Sequence, residues 1–126
     1  MDEVKILVVD DEAEICGLTK SILSKKGYNV LTAATAAEAL KIVKEERPQV
    51  VLLDILLGAD SGMDVLAKIK EMDKSIKVIM ITALDDDETI LKAKSQGADD
   101  YISKPFTATY LNELTREKIS SLGLGK

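Results

Sequence analysis

Lys5-Ile6-Leu7-Val8-Val9-Asp10-Asp11 is an aliphatic run that ends on two carboxylates. A second run, Val50-Val51-Leu52-Leu53, closes on Asp54, and a third, Val78-Ile79-Met80-Ile81, closes on Thr82. A short fourth, Tyr101-Ile102-Ser103, closes on Lys104-Pro105. Runs this short and this rich in β-branched and aliphatic residues read as strands buried on both faces, the pattern of a parallel sheet. In such a sheet the carboxyl ends of the strands share one edge, where ligands bind. The pattern therefore predicts that Asp10, Asp11, Asp54, Thr82 and Lys104 converge on that edge.

The intervening segments have helical period. Ile15, Leu18 and Ile22 recur at three and four residues, before the stop Lys25-Lys26-Gly27. Thr35-Ala36-Ala37-Glu38 has the form of a capping box, followed by Ala39, Leu40 and Val43 on one face and ended by Pro48. Met63, Leu66, Ile69 and Met72 repeat the spacing. Ile90, Leu91 and Ala93 belong to a helix that starts near the acidic run Asp85-Asp86-Asp87-Glu88 and stops at Gly97. Thr107 is a candidate cap for a fifth helix, with Leu111, Leu114 and Ile119 facing the core. Asn29 to Ala33, less apolar, reads as a strand near a sheet edge. This β-α alternation is too short for an eight-stranded barrel of about 250 residues. What remains is an α/β fold: a doubly wound, five-stranded parallel sheet with helices on both faces.

The 126 residues suffice for one domain, expected over 1–122, with 123–126 a frayed tail and no output domain in the chain. The apolar share of 46% and charged share of 31% are those of an ordinary globular protein. Seventeen basic against 22 acidic residues give a net charge of −5, with no electrostatic reason to expect direct nucleic-acid binding. No run approaches the roughly 18 apolar residues of a membrane span, and Met1-Asp2-Glu3 does not begin a signal peptide. A single cysteine, Cys16, reads as a core or boundary residue and fits a reducing compartment, so the expected address is cytoplasmic. Histidine is absent, which removes Ser-His-Asp and Cys-His dyads and the usual zinc ligands.

Three clustered carboxylates repel one another, and a hard divalent cation relieves this; magnesium favours one or two carboxylates plus waters and phosphate oxygens. Thr82 offers a hydroxyl and Lys104 a point charge for a phosphoryl oxygen. Together they make a phosphoryl site with a carboxylate as candidate nucleophile. Each group alone has a plainer reading: Asp10-Asp11 as a turn or N-cap, Thr82 as a strand end, Lys104 as a solvated loop charge. Their recurrence at the same end of different strands favours the site.

These residues resemble the receiver domain of two-component response regulators across essentially the whole chain. The signature is Asp10-Asp11 after the first strand, Asp54 after the third, Thr82-Ala83 after the fourth and Lys104-Pro105 after the fifth, within Gly97-Ala98-Asp99-Asp100-Tyr101-Ile102-Ser103-Lys104-Pro105-Phe106. The resemblance implies a flavodoxin-like (βα)5 fold and phosphoryl transfer to Asp54 from a phosphohistidine on a sensor histidine kinase or histidine phosphotransfer protein. It implies Mg2+ ligated by Asp11, Asp54 and the Leu56 carbonyl, with Asp10 acting through water. Lys104, Thr82 and the Ala83 amide would hold the phosphoryl oxygens. Tyr101 matches an aromatic switch position that turns inward when Thr82 moves, though an aromatic at a half-buried strand position is the plainer reading. The output face would be the fourth helix, fifth strand and fifth helix, where Lys92, Lys94, Asp100 and Arg116 are placed for contacts in a phosphorylation-dependent homodimer. Surface charges of that kind are more often simply solvated.

One departure concerns the loop after Asp54, where the family usually has methionine and proline and this chain has Leu57 and Gly58. A looser loop is expected there. The resemblance implies that the residues two beyond Asp54 and two beyond Thr82 flank the path of attacking water; here they are Leu56 and Leu84, and neither can orient a water. Slow autodephosphorylation follows, suited to a lasting signal or a phosphorelay step. A phosphatase with an aspartyl-phosphate intermediate is the competing enzyme reading, but such enzymes carry a second aspartate where Leu56 stands. A degenerate receiver-like binding module is the third. The expectation is a phosphoaccepting signalling domain rather than an enzyme acting on other substrates.

Overall fold

In the computed structural model, which describes residues 4–82 and 87–103, the aliphatic runs lie side by side in one sheet. β1 (Lys5–Val9), β2 (Asn29–Ala33), β3 (Val50–Asp54), β4 (Lys77–Thr82) and β5 (Asp100–Ser103) pair in the order β2-β1-β3-β4-β5, all parallel. β2, read as less apolar, is an edge strand as expected, and β5 is the other edge. The chain leaves β1 toward β2 and returns past it to β3, so the order reverses between β1 and β3. That reversal opens a crevice at the carboxyl ends of those two strands. Asp10 and Asp54 stand on either side of it.

Alternation along each strand divides the apolar residues between two cores. Leu7, Val9, Val51, Leu53, Val78 and Met80 face one side, under Ala39 and Val43 of α2 (Ala36–Glu46), Leu66 and Ile69 of α3 (Gly62–Met72) and Ala93 of α4 (Asp87–Ser95). Ile6, Val8, Val50, Leu52, Ile79, Ile81 and Ile102 face the other, under Cys16 and Leu23 of α1 (Ala13–Ser24). Both faces are covered, which is why the strands read as continuous apolar runs. Each fully enclosed aliphatic side chain contributes about 1.5–3 kcal/mol of burial. This sheet is the rigid base on which the carboxylates are set.

Local details differ from the periodic reading. The buried stripe of α1 is Cys16, Thr19 and Leu23, while Ile15, Leu18 and Ile22 are half-buried beside it. Met72 and Leu91 are exposed, and Val65 takes the buried place on α3. The capping box forms with a one-residue offset: Thr35 Oγ1 accepts from the Glu38 amide at 3.2 Å, but Glu38 reaches back to the Ala34 amide at 2.8 Å. α2 ends on Arg47 in the left-handed region (φ 49°), because Pro48 disfavours a helical residue before it. The fifth helix expected after Thr107 and the tail 123–126 lie outside the described residues.

Candidate functional site

Asp10 and Asp54 are buried at the ends of two apolar strands, 1% and 4% exposed. Each turns back on the chain in the same way. Asp10 Oδ1 accepts from the Glu12 amide at 2.9 Å, and Asp54 Oδ1 accepts from the Leu56 amide at 3.1 Å. Aspartate commonly closes such a two-residue turn after a strand, so the turn reading of Asp10 is correct as far as it goes. The same bonds also fix both carboxylates at the crevice. The Asp10 backbone is tied down further: its amide donates to the Ala33 carbonyl at 3.1 Å, and Cys16 Sγ donates to its carbonyl at 3.3 Å. Cys16 is thus a buried core residue bonded to the strand end.

The third carboxylate in the cluster is Glu12. Oxygens of Asp10, Glu12 and Asp54 lie within 4.8 Å of one another. Sequence reasoning paired Asp10 with Asp11 and overlooked Glu12, although the unbroken acidic run Asp10-Asp11-Glu12 was a signal for it. Glu12 is the N-cap residue of α1, yet its side chain makes no capping bond there. Asp11 follows a buried residue on the turn and is exposed. Its Oδ2 lies 3.4 Å from where a Cβ at Gly58 would stand, across the loop that follows Asp54. Asp11 therefore borders the site from the loop side and is not in the three-carboxylate cluster. Beyond Asp10 a depression of about 350 Å3, lined by Asp11, Cys16, Lys20, Thr32 and Glu38 among others, opens between α1 and the end of β2.

The loop after Asp54 is a small hairpin rather than an open turn. Leu56–Leu57 pairs antiparallel with Asp60–Ser61 around Gly58 and Ala59. Gly58 has φ +61°, and glycine at the first central position of a two-residue hairpin marks the II′ class. The expected loosening from the missing proline is thus met by strand pairing. The Gly62 amide donates to the Ile55 carbonyl at 2.7 Å, so Leu56 and Ser61 occupy the next, non-hydrogen-bonded pair. At such a position both backbone polar groups face away from the partner strand. The Leu56 amide does so onto Asp54. The Leu56 side chain is 54% exposed.

Thr82 closes β4, with its backbone opposite Ser103 of β5. Its side chain, together with Ala83, Leu84, Lys104 and Arg116, lies outside the described residues. Tyr101 is half-buried on β5 against the core, with Lys94 Nζ 5.9 Å from its ring centre. Lys92 and Lys94 are exposed on α4, and Asp100 Oδ1 accepts from the Tyr101 amide at 2.8 Å. No helix among the described residues is long and apolar enough to cross a membrane.

Comparison with known proteins agrees with this geometry. Residues 6–116 match the family described as response regulator receiver domain. The chain is 37% identical over 108 residues to the alkaline phosphatase synthesis transcriptional regulatory protein PhoP of Bacillus subtilis, covering 86% of this chain and 45% of that protein. It spans about half the length of several such transcriptional regulators. It is 35% identical to sporulation initiation phosphotransferase F of Bacillus subtilis, covering 90% of this chain and 91% of that one. Among solved structures, a CheY-like response regulator receiver domain protein from Methanospirillum hungatei superposes with a TM-score of 0.87 at 35% identity, over 97% of this chain and 98% of that one. With its strand order, its buried aspartates at the β1–β3 crevice and a family match over most of its length, this chain belongs to the response regulator receiver domain family of two-component signalling.

Proposed function

We propose that the chain accepts a phosphoryl group on Asp54 from a phosphohistidine of a sensor histidine kinase or histidine phosphotransfer protein. The observation that carries this reading is the placement of Asp54: a buried carboxylate at the end of the central strand, oriented by the Leu56 amide and within 4.8 Å of two further carboxylates. In the step, an Asp54 carboxylate oxygen attacks phosphorus while the P–N bond to the donor imidazole breaks. The imidazole nitrogen keeps the bonding pair and takes up a proton, leaving an acyl phosphate on Asp54.

The donor set suits a hard divalent cation, since three neighbouring carboxylates disfavour one another when all are charged. Asp11, Asp54 and the Leu56 carbonyl are the proposed direct ligands, with Asp10 and Glu12 holding bound water. Bound there, Mg2+ supplies charge neutralisation at the phosphoryl oxygens. Lys104, Thr82 and the Ala83 amide take the remaining phosphoryl oxygens, and Thr82 with Tyr101 relays the change to the α4–β5 face. That face serves an output partner, a second copy of the chain included. Leu56 and Leu84 offer no group to orient water, so the phosphoryl group persists, as a phosphorelay step in the cytoplasm requires.

Incubation with acetyl phosphate and magnesium, followed by intact mass, tests the reading. Native protein gains one phosphoryl group and Asp54→Ala gains none. Catalytic turnover of the donor without a retained group would replace the receiver reading with a phosphatase.

A further inference from the structure

The hairpin after Asp54 lacks the family's proline but is fastened to a second element. Asp60, paired with Leu57 across the hairpin, reaches out of it, and its Oδ2 accepts from the Ala36 amide at 3.1 Å. Ala36 is the first residue of α2, and its amide is one of the donors that a helix cannot satisfy internally. Nearby, Thr35 Oγ1 accepts from the Glu38 amide and Glu38 Oε1 from the Ala34 amide. The Ala36 amide is met by a carboxylate from another loop, where the helix dipole favours negative charge. The other strand of the same hairpin carries the Leu56 amide that orients Asp54.

We propose that Asp60 is a positioning residue for the phosphoacceptor site. Its carboxylate pins the hairpin to the α2 N-terminus and thereby holds the Leu56 backbone against Asp54. Asp60 does through an inter-element hydrogen bond what a rigid proline does through a fixed φ. The proposal rests on Asp54 being the magnesium-dependent acceptor.

Two readouts on the full chain test it: magnesium affinity by calorimetric titration, and hydrogen exchange at the Leu56 amide in metal-free protein. Asp60→Ala is expected to weaken magnesium binding roughly two- to tenfold, the range of one charge-assisted hydrogen bond at an exposed site, and to speed exchange at Leu56. Asp60→Asn keeps an acceptor oxygen for Ala36 and recovers most of both. Thr35→Ala removes another cap of the same helix; it lowers the melting temperature but leaves magnesium affinity within about twofold. Unchanged binding and exchange in Asp60→Ala overturns the proposal. So does an equal loss of affinity in Thr35→Ala, since α2 stability alone would then explain the effect. Native protein that binds no magnesium overturns the acceptor reading instead, and Leu56 exchange then decides the role of Asp60.

Discussion

Gly62 sits so close to Asp54 that the Asp54 carbonyl oxygen occupies the space where a Cβ at position 62 would begin, with the Ile55 Cα at 2.7 Å behind it. Both obstacles are backbone, so neither can swing aside. Gly62→Ala must push α3 away from β3 and displace Asp54, the proposed acceptor. The expected cost is about 2 kcal/mol or more, a fall in melting temperature of roughly 5 °C or more, with slower phosphoryl uptake. A melting temperature equal to that of native protein would show that the strand end yields freely.

The frame of the molecule was legible because sheet burial writes itself into composition: strands enclosed on both faces are aliphatic throughout, as Val50 to Leu53 are. The positions of Asp10 and Asp54 followed from where those runs stop. The hairpin was not legible, since Leu56–Leu57 and Asp60–Ser61 are too short to show any period. Nor was the buried stripe of α1. Ile15, Leu18 and Ile22 and their neighbours Cys16, Thr19 and Leu23 form one broad band, and only packing decides which edge of it meets the sheet. Glu12 was marked only by the acidic run Asp10-Asp11-Glu12, and which of those carboxylates joins the cluster depends on the way the turn throws each side chain.

Electrostatic repulsion among Asp10, Glu12 and Asp54 gives a second prediction. Like charges within 4.8 Å of one another oppose one another by about 3 kcal/mol or more at an effective dielectric of about 20, before solvent screening. In metal-free buffer Asp54→Asn is therefore expected to melt above native protein, by about 1 kcal/mol of stability after solvent screening. Magnesium should raise the native melting temperature and do so less in Asp11→Ala. Identical responses of native and Asp11→Ala protein would remove Asp11 from the ligand set.

Phosphoryl lifetime is a third. Leu56 presents an exposed aliphatic side chain two residues after Asp54, the proposed acceptor. The double variant Leu56→Asn, Leu84→Glu supplies groups that orient water and should lose its phosphoryl group roughly tenfold faster, a modest share of what positioned side chains contribute. Decay of the native phosphoprotein at the same rate or faster would contradict the assignment.

Asp73, at the C-terminal end of α3, offers a test on pH. Hydrogen bonds from the Ser75 side chain (2.6 Å) and backbone (2.9 Å) hold its carboxyl below the usual carboxylate range, assisted by Arg47 and Lys70. A carboxyl depressed in the folded state stabilises the fold above its unfolded pKa, and that contribution is lost as pH falls through the folded value. Ser75→Ala should move the Asp73 titration, followed by carbon NMR, back toward the ordinary aspartate position. A titration that stays put would assign the shift to the backbone amide of residue 75, which the substitution leaves in place, with Arg47 and Lys70.

The central claim is that Asp54 alone carries the phosphoryl group, and borohydride trapping tests it most directly. Reduction of an acyl phosphate on aspartate releases phosphate and leaves homoserine at the modified position. After acetyl phosphate treatment, peptide mapping is expected to find homoserine at position 54 and aspartate retained at 10 and 11. Homoserine at either of those positions, or at none of the three, would contradict it.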